Sequence, residues 1–242
     1  MLTKNKKYFI ILIVLVIICC LFVNYILNNK NENKNENKIN KYIDKIYYIN
    51  LEHRTDRKKS IVSELKSFDI TNYERFNAIK HEKGYIGCSK SHLECIKNAK
   101  NNGYKNVLIL EDDFVFVVDK NTFEDSIVQL FEQTQGDFDV CMLSYNPIKT
   151  KVIPEYPFLL KVINAQTASG YLVQSHYYDA LINVWENALV IMENNGTEKI
   201  YTCDQSWKVL QKKDNWVCFK NKLGIQKESY SDLEKKTVNY HV

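Results

Sequence analysis

A chain of 242 residues, 45% hydrophobic and 26% charged, is long enough for one or two domains with a sizeable core. Its net charge of +4 is spread without a concentrated basic stripe, so nucleic acid is not an expected partner. The five cysteines from Cys88 onward (Cys88, Cys95, Cys141, Cys203 and Cys218) are too sparse for a disulfide scaffold and odd in number, and they show neither a CxxC pair nor a Cys/His cluster at zinc spacing.

Residues 1–7 form a short basic N-terminus with Lys4, Lys6 and Lys7, and residues 8–27 are almost wholly apolar, with Asn24 the only strongly polar position. About twenty such residues can cross a bilayer as a helix. No small-x-small cleavage site follows, and Ile18 stands before Cys19 where a lipoprotein signal wants a small residue. The expectation is an uncleaved single-pass anchor in the lipid bilayer, type II, with the downstream domain lumenal (ER or Golgi) or on an envelope membrane. Lysines flank both sides, so charge alone does not choose the orientation. Residues 28–44, an Asn/Lys/Glu tract, read as a polar tether, and residues 45–242 as one domain.

Within that domain Lys45 to Leu51 predicts a strand, and Asp56 onward a helix with Ile61, Val62, Leu65 and Phe68 on one face. A short strand over Tyr73 to Ala78 and a helix over Ser89 to Asn102, stopped at Gly103 by a left-handed cap, come next. The run Val107-Leu108-Ile109-Leu110 reads as a strand buried on both faces, ending in Glu111, Asp112 and Asp113. A helix over Thr122 to Gln133 and a buried strand over Phe138 to Leu143 follow. Pro147, Pro154 and Pro157 then punctuate a loop region before strands at Phe158 to Ile163 and Gly170 to Val173. Helices are expected at Tyr177 to Met192 and Thr202 to Lys212. This alternation predicts an α/β sandwich with a mainly parallel central sheet.

In open α/β sheets ligands bind at the carboxyl ends of the strands, which is where the three acids fall. If the extended geometry persists, Glu111 and Asp113 project to one side and Asp112 to the other, and the pair can hold a hard divalent ion shared with substrate phosphates. Asp113 is the leading ligand, with Asp112 and Glu111 in support. Where the first strand meets its helix, Arg54 and Arg57 stand beside a helix N-terminus able to grip a phosphate, and Asp56 is placed to cap that helix. Ser91 and His92 are adjacent in a helix and point about 100° apart, which makes them poor partners for nucleophile activation. His92 is an orienting hydrogen-bond group or part of the core. Trp185, Trp207 and Trp216 read mostly as core.

The ordered set Asn50-Leu51-x-x-Arg54-x-Asp56-Arg57, Gly87-Cys88-x-x-Ser91-His92 and Leu110-Glu111-Asp112-Asp113 resembles glycosyltransferase family 25. The similarity continues through Thr167-Ala168-Ser169-Gly170-Tyr171 and Gln226-Lys227-Glu228-Ser229-Tyr230, and so spans nearly the whole domain. The resemblance implies a GT-A type nucleotide-diphosphosugar transferase fold and transfer of a hexose, galactose favoured, from a UDP-sugar with inversion. It also implies Mn²⁺ (or Mg²⁺), and a glycan, lipid-linked or hydroxylysine-type protein acceptor. Donor contacts then fall to Asn50, Arg54, Arg57, Ser91, His92 and Gln226, and metal contacts to Glu111, Asp112 and Asp113. For the acceptor-side base such a transfer needs, Asp204 is the best-placed acid downstream, at a helix start beside Trp207 as a flat face for a sugar; the other reading is an acid that satisfies backbone amides in the first turn. One departure is Lys227-Glu228, where many relatives carry Arg-Pro; it leaves a catalytically inactive relative, binding a sugar or a protein, as the alternative.

Overall fold

The computed structural model describes residues 16–24, 38–231 and 236–238. The chain divides into two compact units, Met1–Asn37 and Lys38–Val242. In the first, a helix covers residues 16–24. No helix among the described residues is long and apolar enough to cross a membrane. That finding overturns the expected single-pass, type II, lumenal or envelope localisation; of the anchor expected over residues 8–27, residues 8–15 and 25–27 lie outside the described residues.

The second unit runs β1 (Lys45–Asn50), α1 (Thr55–Ser67), β2 (Tyr73–Asn77), α2 (Gly84–Asn101), β3 (Asn106–Glu111), β4 (Phe114–Phe116), α3 (Lys120–Thr134), β5 (Val140–Val152) and β6 (Leu159–Gln174). It continues with α4 (Tyr178–Glu193), the single turns α5 (Glu198–Tyr201), α6 (Cys203–Ser206) and α7 (Lys208–Gln211), then β7 (Trp216–Phe219), β8 (Gly224–Gln226), β9 (Ser229–Ser231) and β10 (Lys236–Val238). Six strands form one sheet in the order β2-β1-β3-β6-β5-β7. β1 pairs parallel with β2 and β3, β5 pairs parallel with β7, and β6 alone runs against its neighbours. The architecture is a mixed α/β fold around a mostly parallel sheet.

Alternation along the strands feeds two cores. Ile46, Tyr48, Leu108 and Leu110 join Ile61 and Leu65 of α1 and Phe123 and Ile127 of α3 on one face. Tyr47, Ile49, Val107 and Ile109 join Leu93 and Ile96 of α2 and Leu181 and Trp185 of α4 on the other. Both helix pairs thus cover a sheet whose central strands are apolar on both sides, as parallel strands require. α2 stops where expected, with Gly103 in the left-handed region at φ 68°.

Three differences from expectation have local causes. The folded unit starts at Lys38, ahead of the expected boundary at 45, because Ile39 and Ile43 are fully buried and Tyr42 stacks on Phe131. The proline-punctuated region is one long β5–β6 ladder, and Pro147 sits beside a register shift between Pro147 and Lys149, where irregular pairing tolerates a residue without an N–H. The helix expected over Thr202 to Lys212 is broken into α6 and α7 around Trp207, whose ring is fully buried against Tyr171 and Trp216. Burial of that ring outweighs helix regularity.

Candidate functional site

β3 ends at Glu111, level with Ile49 of β1, and the chain then turns through Asp112 and Asp113 into β4. Because the extended backbone stops there, the acids do not alternate as expected. Arg57 Nη1 lies 2.9 Å from Asp112 Oδ1 and 3.0 Å from Asp113 Oδ2, so these two share one guanidinium. Glu111 turns toward α2, where its Oε1 is 3.1 Å from His92 Nε2. Gln226 in β8 links the halves, its Nε2 3.2 Å from Asp113 Oδ2 and 3.4 Å from Glu111 Oε2.

Burial is the largest influence on both aspartates. It raises Asp112 against the pull of Arg57 and Asn50. With Glu111 close by, it pushes Asp113 up to about 7 despite Arg57. Asp113 Oδ1 is buried and accepts no hydrogen bond. A charged oxygen in that position is costly without a cation or donor, which fits a divalent ion held by Asp113 with Glu111 as its neighbour. Oxygen donors suit a hard ion. Asp112 fits less well, since its Oδ2 already accepts from Asn50 Nδ2 at 2.6 Å and its Oδ1 from Arg57.

The β1–α1 junction supports the acids. Asn50 is buried, donates to Asp112 Oδ2 and to Arg54 O, and accepts from Arg75 Nε at 3.0 Å. Arg75, on β2, gave no sequence signal, because nothing local says which strand lies beside Asn50. Asp56 does not cap α1: Arg54 holds the cap position, without a side-chain cap bond, and forms a 2.9 Å ion pair with Asp56. Both arginines expected to grip phosphate therefore lie against carboxylates.

α2 contributes positioning. A Cβ on Gly87 would meet Ile79 O at 2.3 Å, so the helix presses directly on the segment after β2. Ser91 is fully buried; its Oγ donates to Gly87 O at 2.7 Å and accepts from Ile79 N at 2.8 Å. It ties that segment to α2 and does not face outward as a donor contact would. His92 is also fully buried, bonded to Glu111 on one side and, through Nδ1, to the Tyr171 hydroxyl at 2.8 Å on the other. Burial alone would lower its pKa, but hydrogen bonds to Cys88 and Glu111 outweigh this and hold it at about 10.

Phe114 fixes the position of the turn. A Cβ on Gly170 or on Gly224 would fall within 2.5 Å of its ring, so two glycines make the slot it fills. Its strand, β4, pairs with β8 and brings Gln226 opposite Phe114. Asp204 reaches the same sheet edge, since β6 passes Leu110 at Gly170 and continues to Thr167, whose N–H donates to Asp204 Oδ2 at 3.2 Å. Thr167 has φ 84°, a strained value for a β-branched residue. Asp204 Oδ1 accepts from Thr202 Oγ1 at 2.8 Å. Trp207 is fully buried and offers no face to a sugar, a correction to expectation.

Sequence reasoning also missed a cluster. Cys88, His92 and Cys203 bring one ligand atom each within 4.8 Å of one another, although no zinc-type spacing is present. Cys88 and His92 are one helical turn apart, which is a readable signal; Cys203 is remote in sequence, and only the packing of α6 on α2 supplies it.

No family model matches the chain, and no curated protein matches it. Among solved structures it is similar to mannose-1-phosphate geranyltransferase from Thermus thermophilus, at TM-score 0.43 and 8% identity over 75% of this chain and 58% of that one. It is also similar to a UDP-glucose pyrophosphorylase complexed with UDP-glucose, at TM-score 0.43 and 9% identity over 74% of this chain and 73% of that one. A third is A197 from STIV, at TM-score 0.40 and 10% identity over 80% and 92%. The chain thus spans 58% of the length of the first of these.

Proposed function

We propose that this chain is a metal-dependent glycosyltransferase of the family 25 kind, moving a hexose, galactose favoured, from a UDP-sugar to a hydroxyl of a glycan, lipid-linked or protein acceptor with inversion. The observation that carries this is Asp113 Oδ1, a buried carboxylate oxygen without a hydrogen-bond partner at the carboxyl end of a central strand. Asn50 on Asp112, with Arg57 and Gln226 on Asp113 Oδ2, adds support, because three segments of the resemblance converge on the two aspartates. Asp113 and Glu111 would hold Mn²⁺ or Mg²⁺, which when bound neutralises charge gathering on a departing diphosphate. Arg57 and Gln226 orient the carboxylates, His92 fixes Glu111, and Asp204 takes the acceptor hydroxyl proton at the same edge.

The test incubates the full chain with a panel of nucleotide sugars, with and without Mn²⁺, and follows which donor is consumed. Metal-dependent consumption of a UDP-hexose, lost in Asp113→Ala with the fold retained, is the expected result. Full turnover by that variant would refute the role given to Asp113.

One observation favours the second reading, a catalytically inactive relative acting as a sugar- or protein-binding module. Arg57 already lies against Asp112 and Asp113, and His92 against Glu111, so the acids have internal cations. Calorimetric binding of a UDP-sugar with no turnover on any acceptor would select that reading.

A further inference from the structure

Four side chains meet on the α2 side of β3. Cys88 Sγ, Cys203 Sγ and a ring nitrogen of His92 lie within 4.8 Å of one another, and Glu111 Oε1 is 3.1 Å from His92 Nε2 and 3.8 Å from Cys88 Sγ. Since Tyr171 occupies His92 Nδ1, Nε2 is the atom that faces the group. We propose that Cys88, His92 and Cys203 form a three-residue site for a soft or borderline cation, zinc above all, with Glu111 beside His92 and Cys88. Two thiolates with an imidazole suit zinc, which binds sulfur and nitrogen, and disfavour Mn²⁺ or Mg²⁺, which take oxygen.

The site is built before any metal arrives. His92 is fully buried and Cys203 nearly so, while Cys88 is half-buried. Cys203 is pinned from both sides, its N–H donating to Ser89 Oγ at 3.1 Å and its carbonyl accepting from Trp185 Nε1 at 3.0 Å. The Tyr171 hydroxyl fixes the orientation of the His92 ring, the outer-shell partner that metal-ligating histidines nearly always have. A cation here joins α2 to α6. The inference does not rest on sugar transfer: neither thiol belongs to any step proposed above, and His92 is the one residue shared with it.

The test is a titration of the full chain, with Cys19 and Cys20 replaced by serine, using Co²⁺ as an optical stand-in for zinc. Expected is one equivalent bound, with tetrahedral d–d bands and a thiolate-to-cobalt charge-transfer band, displaced by Zn²⁺ and untouched by excess Mg²⁺. Cys88→Ser and Cys203→Ser each lose the charge-transfer intensity in part or whole; Cys141→Ser, on the other face of the sheet, keeps it. Tyr171→Phe weakens Zn²⁺ about 10–100-fold. Should the serine variants not fold, alkylation of the parent chain decides: Zn²⁺ protects Cys88 and Cys203 and leaves Cys218 unchanged. Absence of the charge-transfer band, its survival in both serine variants, or a Cys88–Cys203 disulfide in the freshly isolated protein would overturn the site. Mn²⁺-dependent sugar consumption is measured separately, so either idea can fail alone.

Discussion

Arg57 is the hinge of the charge balance. It is largely buried and serves Asp112 and Asp113 at once, at 2.9 and 3.0 Å. Removing one partner of such a group leaves a buried charge uncompensated, so Arg57→Ala should cost about 3–5 kcal/mol in urea unfolding. If the same carboxylates accept a divalent ion, Mn²⁺ should restore more stability to this variant than to the parent; an equal response in both would count against a metal at Asp113. Phe114 offers a steric test of the same turn. Gly170→Ala drives a methyl to 2.5 Å from its ring and should cost about 1–3 kcal/mol, with Phe114→Leu in the same chain recovering part of the loss. Simple additivity of the two changes would mean that the ring does not hold the turn.

The helical turn at Lys38–Lys41 extends the folded unit beyond β1. Ile39 and Ile43 are fully buried with α3 residues Phe123, Ile127 and Leu130. Each Ile→Ala should therefore cost about 2–5 kcal/mol, as a large-to-small change in a core does, and a loss under about 0.5 kcal/mol in thermal unfolding would show that the segment is an appendage. This element also shows what the sequence does and does not convey. Strands such as Val107 to Leu110 announce themselves, because both faces are apolar. Ile39 and Ile43 stand isolated in an Asn/Lys/Glu tract, so no period marks them. The reversal of β6 is equally silent, since an apolar run buried on both faces carries no direction. Asn50, Arg57, Glu111, Asp112, Asp113 and Gln226 are legible in the sequence as candidates for one site, and the structure brings them together. Arg75 and Cys203 are not, because their place depends on which strand or turn packs alongside.

Across the whole molecule, the acids gathered at one sheet edge set a pH dependence whose sign can be worked out. Burial, then Glu111, holds Asp113 at about 7 in the folded chain, whereas an unfolded aspartate titrates at about 3.9. Between those values the folded state carries the extra proton, so stability falls as pH rises from about 4 to about 7, by on the order of a few kcal/mol. Asp112, raised mainly by burial, acts in the same direction. His92 extends the decline upward: hydrogen bonds to Cys88 and Glu111, working against burial, hold it at about 10, so its contribution is complete below about 6.5 and fades as pH climbs through about 10. Urea unfolding of the metal-free chain at pH 5 and pH 7.5 should show the first window. Asp113→Asn, which cannot ionise, should flatten it while leaving the later decline in place. Saturating Mn²⁺ binds the ionised form and should raise stability more at pH 7.5 than at pH 5, through ordinary linkage. A parent chain whose stability increases over this interval would show that Asp113 is ionised and paired throughout, and the case for a cation at its Oδ1 would go with it.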